Sequence, residues 1–151
     1  MATTQVAGQS FARTIDVNLE LEDGAAAITA DGAGSAILDL TGSGTEGTGT
    51  YEGFILINVS AMDTTTGDET YTIVAQGSDS ATFAADYAPL STIHLGDATA
   101  VSYSESTAVN SAESLTTYTL PVVNYRGAHN YRYLRLYFDV EGTTPSITCT
   151  A

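Results

Sequence analysis

Apolar and polar residues alternate along this chain with the two-residue period of β-strands, and no stretch sustains the 3.6-residue period of a helix. The first such run sets Val17, Leu19 and Leu21 against Asn18, Glu20 and Glu22 and stops at the turn signal Asp23-Gly24. A second, over 35–40, carries Ile37, Leu38 and Leu40 between glycines at 32, 34, 42 and 44. Residues 51–61 are the most apolar stretch. Phe54, Ile55, Leu56, Ile57 and Val59 leave almost no polar face, which predicts a central strand covered on both sides. Over 69–76, Tyr71, Ile73 and Ala75 alternate with Thr70, Thr72 and Val74, and the Thr, Gly and Asp residues of 62–68 predict a hairpin connection before it.

Residues 77–96 lose the period at Asp86, Pro89 and Ser91 and predict a long excursion with a short strand near 92–95. Strands are expected at 98–103 and 115–123, separated by a Ser-rich surface loop at 104–114 with room for one helical turn. The strongest block is 131–140. It sets Leu134, Leu136, Phe138 and Val140 on one face and Tyr131, Tyr133, Arg135 and Tyr137 on the other. Gly142 and Pro145 then turn the chain into a short last strand around Ile147. About eight short strands separated by turn signals predict an all-β fold, a single-domain β-sandwich with the strand count of a jelly roll. No unit of roughly 20 to 50 residues repeats, which argues against a solenoid or propeller. Residues 1–10, small and polar apart from Val6, read as a flexible N-terminal arm ahead of a sandwich domain at 11–151.

At 151 residues the chain is long enough to bury a core without staples. Charge narrows its partners. Eighteen Asp and Glu face four basic residues, all of them Arg, for a formal net charge of −14. Such a surface repels phosphate backbones and anionic membranes, so neither nucleic acid nor membrane is an expected partner. No apolar run reaches the roughly 18 to 20 residues of a membrane span. The first ten residues lack the basic start and apolar core of a secretion signal, so a cytosol-like compartment is expected, the inside of an infected bacterium included.

Chemical motifs are sparse. Gly42-Ser43-Gly44-Thr45-Glu46-Gly47 matches the letters of a dinucleotide-binding loop, with Asp63 near the position of a ribose-binding acid. The following segment is a strand, whereas that site needs a helix N-terminus, so a Gly/Thr loop is the simpler account. His94 and His129 have no metal-ligand spacing, and no G-x-S-x-G elbow starts a hydrolase triad. Asp63, Asp68 and Glu69 share one Thr-rich turn that could offer oxygens to calcium, without EF-hand spacing; an acidic turn is more often simply solvated. Cys149, the single cysteine, reads as a small apolar filler. Asn58-Val59-Ser60 is a glycosylation sequon in letters, set in a strand expected to be buried. No catalytic residue, metal or cofactor is expected, and the chain is not expected to be an enzyme.

One cluster stands apart from the rest. Tyr125, Arg126, Tyr131, Arg132, Tyr133, Arg135 and Tyr137 gather three of the four arginines with the side chains enriched at protein interfaces. Tyr125, Arg126, Tyr131, Tyr133, Arg135 and Tyr137 are therefore candidate contact residues, and cross-strand stacking with salt bridges inside one sheet is the competing account. Phe11 and Arg13, at the base of the arm, are further candidates for ordering against a partner.

The C-terminal blocks Leu120-Pro121-Val122-Val123-Asn124, Tyr131-Arg132-Tyr133-Leu134-Arg135-Leu136-Tyr137 and Gly142-Thr143-Thr144-Pro145-Ser146-Ile147 resemble the end of the cement proteins of short-tailed phage heads, the Bordetella-phage cement protein family. Thr72-Ile73-Val74-Ala75-Gln76-Gly77-Ser78 and Ile93-His94-Leu95-Gly96 extend the resemblance, which covers most of the chain from about Phe54. It implies a jelly-roll subunit that forms a homotrimer on the outer surface of the capsid, between capsomers of the major capsid protein, at three-fold and quasi-three-fold positions. It implies no catalytic residues. The alternative function is a carbohydrate-binding, lectin-like β-sandwich with the tyrosines as a stacking platform, weakened by the absence of tryptophan.

Overall fold

A computed structural model describes residues 19–40, 50–96, 107–108 and 116–151. These residues form an all-β sandwich with no helical element among them. The strands are β1 (Gly32–Asp39), β2 (Glu52–Met62), β3 (Thr70–Ser78), β4 (Tyr87–Gly96), β5 (Thr107–Ala108), β6 (Thr116–Val123), β7 (Tyr125–Arg126), β8 (His129–Asn130), β9 (Tyr133–Glu141) and β10 (Ile147–Thr150). One sheet has the order β1-β9-β3-β4-β5 and the other β10-β2-β6, while β7 and β8 pair as a small hairpin. All pairings are antiparallel except the two-residue contact of β5 with β4.

Alternation explains the core. Tyr71, Ile73 and Ala75 of β3 and Leu134, Leu136 and Phe138 of β9 turn inward from the larger sheet. They meet Ile55, Ile57 and Val59 of β2, Leu120 and Val122 of β6, and Ile147 and Cys149 of β10. Full burial of a large apolar side chain contributes roughly 1.5–3 kcal/mol, so this two-sided layer is the main source of stability. Cys149 fills space within it, and burial pushes its thiol pKa up to about 12.

Several expected elements differ. The alternation of Leu19 and Leu21 does not build a strand at those positions: Leu19 is exposed and Leu21 buried. The buried Glu22 side chain instead accepts the Ser35 N–H at 2.9 Å and the Gly24 N–H at 3.3 Å. Backbone bonds from residues 21–22 to Ala151, and from Ala36 to Leu21, bridge the two sheets along this edge. Gly34 is required there, because a Cβ would lie 2.7 Å from the Leu21 carbonyl oxygen.

The stretch expected to be covered on both sides is central in its sheet, but its outer face is open: Phe54 is 62% exposed and Asn58 is also exposed. Only three strands make this sheet, and the core lies on one side of it. Residues 62–68 do not form a hairpin turn. They carry the chain from β2 in one sheet to β3 in the other. The Asp63 N–H bonds Ser146 O, prolonging the β10 pairing, and the Asp63 carbonyl accepts from the Tyr71 hydroxyl, so the chain steps across the sandwich.

The excursion expected at 77–96 is a hairpin in which β4 spans ten residues. Its irregularity is local: Gln76 pairs with Pro89 and Ala75 with Ser91, leaving Leu90 as a bulge where a proline without an N–H is tolerated. Within the expected 104–114 loop, β5 adds a two-residue strand. The expected arm at 1–10, the strand at 98–103, the Gly-rich loop at 42–47, and Phe11 and Arg13 lie outside the described residues.

Asn124 joins the sheets at the end where β6 leaves its sheet. Its N–H donates to Tyr51 O at 3.0 Å, and its Oδ1 accepts the Tyr51 N–H at 2.7 Å. Its carbonyl accepts the Tyr131 N–H at 2.7 Å, and its Nδ2 donates to Tyr131 O at 3.0 Å. The residue is fully buried, so a truncated side chain leaves two backbone groups without these partners. Asn124→Ala is expected to cost about 2–4 kcal/mol, from roughly 1–3 kcal/mol per orphaned group with the upper end reduced because both groups are only part-buried. Urea unfolding should show the midpoint fall with an unchanged m-value; a loss below about 0.5 kcal/mol would contradict the clasp.

Candidate functional site

The outer face of the five-stranded sheet carries the candidate contact residues of β9. Strict alternation puts Tyr133, Arg135 and Tyr137 on this face, opposite Asp39, Ile37 and Ala33 of β1 and Ser78, Gln76 and Val74 of β3. Ile37 and Tyr87 are 44% and 51% exposed and widen the apolar part of the face.

Arg135 occupies its centre, half-buried rather than extended into water. Its guanidinium carbon lies 4.2 Å from the centre of the Phe83 ring, 5.7 Å from Tyr137 and 5.8 Å from Tyr87. Its Nε donates to Oε1 of the buried Gln76 at 2.9 Å. Cation–π contact of this kind is worth about 0.5–2 kcal/mol, more as water is excluded. Phe83 reaches the site from the 79–86 loop, where it is 4% exposed at a backbone φ of 51°, a left-handed conformation that disfavours residues with a Cβ. Buried Ser78 secures the loop by donating to Asp86 O at 2.7 Å and accepting the Ser80 N–H at 3.0 Å. His129 approaches Asp79 at 2.8 Å across the same loop, an exposed pair worth little by itself.

The other candidates separate. Tyr131 does not share the face of Tyr133. It precedes β9, and its ring packs against Gly77 on the core side, where a Cβ would lie 2.9 Å from it. The bonds to Asn124 turn the chain there, which is why alternation begins only at Tyr133. The Tyr125 hydroxyl donates to Glu52 at 2.9 Å beside the smaller sheet. Arg132 forms a forked pair with Asp39, at 2.7 and 3.1 Å, and lies over the Tyr133 ring at 4.9 Å. It therefore follows the intrasheet account. Arg126, at the exposed β7–β8 hairpin, makes no ion pair among the described residues.

Sequence reading missed Phe83, Gln76 and Tyr87. A single aromatic within the polar run at 79–86 was the available signal, but its approach to Arg135 depends on the β3–β4 hairpin and on an unusual φ, neither of which has a local signature.

The acidic turn is a structural unit. Glu69 has no exposed surface; its carboxylate accepts the Gly67 N–H at 3.0 Å, the Thr66 N–H at 3.3 Å and the Thr66 hydroxyl. Asp68 accepts from Thr143, and Asp63 from the hydroxyl and N–H of Thr65. Among the described residues no group of three acidic, His or Cys side chains is placed to hold a metal ion. His94 instead pairs with Thr72 across the outer face of the sheet.

These hydrogen bonds hold all three carboxyls below the usual carboxylate range, led by the hydroxyls of Thr66 for Glu69, Thr143 for Asp68 and Thr65 for Asp63. A lowered folded pKa stabilises the fold above the unfolded range near pH 4, and that contribution is lost as pH falls through the folded value. Glu69→Gln should therefore melt below the wild type at pH 7, and the gap should narrow below about pH 4. Comparison with the variant cancels the general relief of repulsion that acid brings to an anionic chain. A gap that stays constant to pH 2.5 would contradict this role.

No protein-family model matches this chain, and comparisons with curated proteins and with solved structures likewise return no match.

Proposed function

We propose that this chain is a phage capsid decoration, or cement, protein that binds the outer surface of the head between capsomers of the major capsid protein, as a homotrimer. The observation that carries this is the outer face of the five-stranded sheet, where Tyr133, Arg135 and Tyr137 lie with exposed Ile37 and Tyr87 in a chain that is otherwise strongly anionic. Aromatic and arginine side chains on a rigid sheet are suited to contact with another protein. The resemblance of the C-terminal blocks to the cement proteins supports the identity of that protein, the jelly-roll winding and the three-fold arrangement. Acidity fits an external location away from packaged DNA.

The mechanism is linkage. A ligand that binds only the assembled, expanded lattice stabilises it by RT ln(1 + [L]/Kd), which reaches about 2.7 kcal/mol per site at a hundredfold excess over Kd. No bond is made or broken, and the sandwich contributes a preformed surface. This mode of action implies synthesis in the host cytoplasm followed by assembly on the virion exterior.

A second possibility, carbohydrate binding, is favoured by the opposite sheet. There exposed Phe54 pairs with Pro121, Leu56 with Thr119 and Asn58 with Thr117, setting one aromatic ring beside neutral hydrogen-bonding groups.

The test is occupancy of undecorated, expanded heads, measured with the temperature at which they burst. Wild-type protein should saturate the heads and raise that temperature, and light scattering should give about three times 15.7 kDa. Tyr133→Ala should weaken head binding by roughly 2 kcal/mol if the ring is a hot spot. Failure to bind heads, together with selective retention on a glycan array, would favour the carbohydrate alternative.

A further inference from the structure

We propose that Arg135 is the docking point for an acidic side chain of the partner protein, received by its two terminal nitrogens within the frame of Phe83, Tyr87 and Tyr137. The identity of the partner as the head lattice rests on the decoration function above; the site itself does not.

Arg135 has one nitrogen already engaged within the fold. Its Nε is committed to Gln76, and its guanidinium carbon lies 4.2 Å from the Phe83 ring centre with Tyr137 and Tyr87 at 5.7 and 5.8 Å. The Nη groups make no hydrogen bond or ion pair among the described residues, and neither is a buried unsatisfied atom, so both remain open to solvent. Arg132 is the contrast: one residue before β9, it spends its fork on Asp39. Although the chain has eighteen carboxylates for four arginines, the central cation of the face has no acid partner among the described residues.

The ligand follows from geometry and charge. A guanidinium offers parallel N–H groups that match the two oxygens of a carboxylate. Here the side chain is already held by Gln76 and three rings, so less rotamer entropy remains to be lost on binding than for a free arginine. The exposed surfaces of Ile37 and Tyr87 can exclude water around the pair, which strengthens it. The 79–86 loop completes the site by bringing Phe83 over the cation, and this is the use we assign to its strained backbone.

The experiment has two arms. In the first, the Nε–H signals of the arginines in the free wild-type protein are followed by NMR during titration with sodium acetate, against sodium chloride and sodium phosphate at matched ionic strength. Acetate should move the Arg135 signal along a saturating curve, while Arg126 changes only weakly and linearly. Equal responses to acetate and chloride would overturn the site, and an equal or larger response to phosphate would overturn its assignment to carboxylate. In the second arm, Arg135→Lys and Arg135→Gln are compared with wild type for occupancy of expanded heads. Both should raise the apparent Kd at least about tenfold, because lysine keeps the charge but lacks the fork. Wild-type affinity in Arg135→Lys would overturn Arg135 as the docking point. A saturating acetate response in a protein that does not bind heads would support the carboxylate site and remove the decoration function instead.

Discussion

The structure depends on a buried amide that acts as a backbone link between two sheets. Asn124 satisfies Tyr51 on one side and Tyr131 on the other, using its main chain and its side chain toward each. A buried amide is costly unless its donors and acceptors are met, so the Asn124 position fixes the neighbouring segments together. Through Tyr51 it sets the start of β2, and through Tyr131 it sets the point at which β9 can begin. The inward turn of Tyr131 and the outward face of Tyr133, Arg135 and Tyr137 follow from that single constraint.

The opposite end of β9 and β3 is closed by a different device. Glu69 folds the 66–67 turn onto itself, and glycines 96 and 142, both at positive φ, pass so close to its backbone that a Cβ would lie 2.4 and 2.8 Å away. Tyr71 carries the same closure into the core, donating to Asp63 O at 2.6 Å and accepting the Ser146 N–H at 2.9 Å. Burial raises the pKa of this phenol, in keeping with a neutral hydroxyl serving as both donor and acceptor. Between these ends Arg135 is framed by residues from β3, β4, β9 and the 79–86 loop.

Much of the fold was legible because burial imposes a period of two. The core residues of β3 and β9 were read correctly from alternation, and the all-β sandwich followed from strand count and turn signals. What failed did so where sequence distance hid the partner. A turn rich in Thr, Gly and Asp looks the same whether it returns to its own sheet or crosses to the other, and only Ser146 and Tyr71 decide the case at 62–68. Pro89 disguised β4 because a proline interrupts the local pattern whether or not a bulge accommodates it. The candidate face was legible as a cluster, but its division was not: Arg132 finds Asp39, Tyr131 turns inward, and Arg135 meets a phenylalanine from a loop without periodicity.

The central claim is that this sandwich acts by surface contact with a capsid lattice, through the outer face of the five-stranded sheet. An electron cryomicroscopy reconstruction of expanded heads incubated with the purified protein tests it most directly. The account predicts density on the exterior at three-fold and quasi-three-fold positions, with Tyr133, Arg135 and Tyr137 facing a capsomer or a neighbouring subunit. Bare heads at saturating protein, or decorated heads in which that face points into solvent, would contradict it.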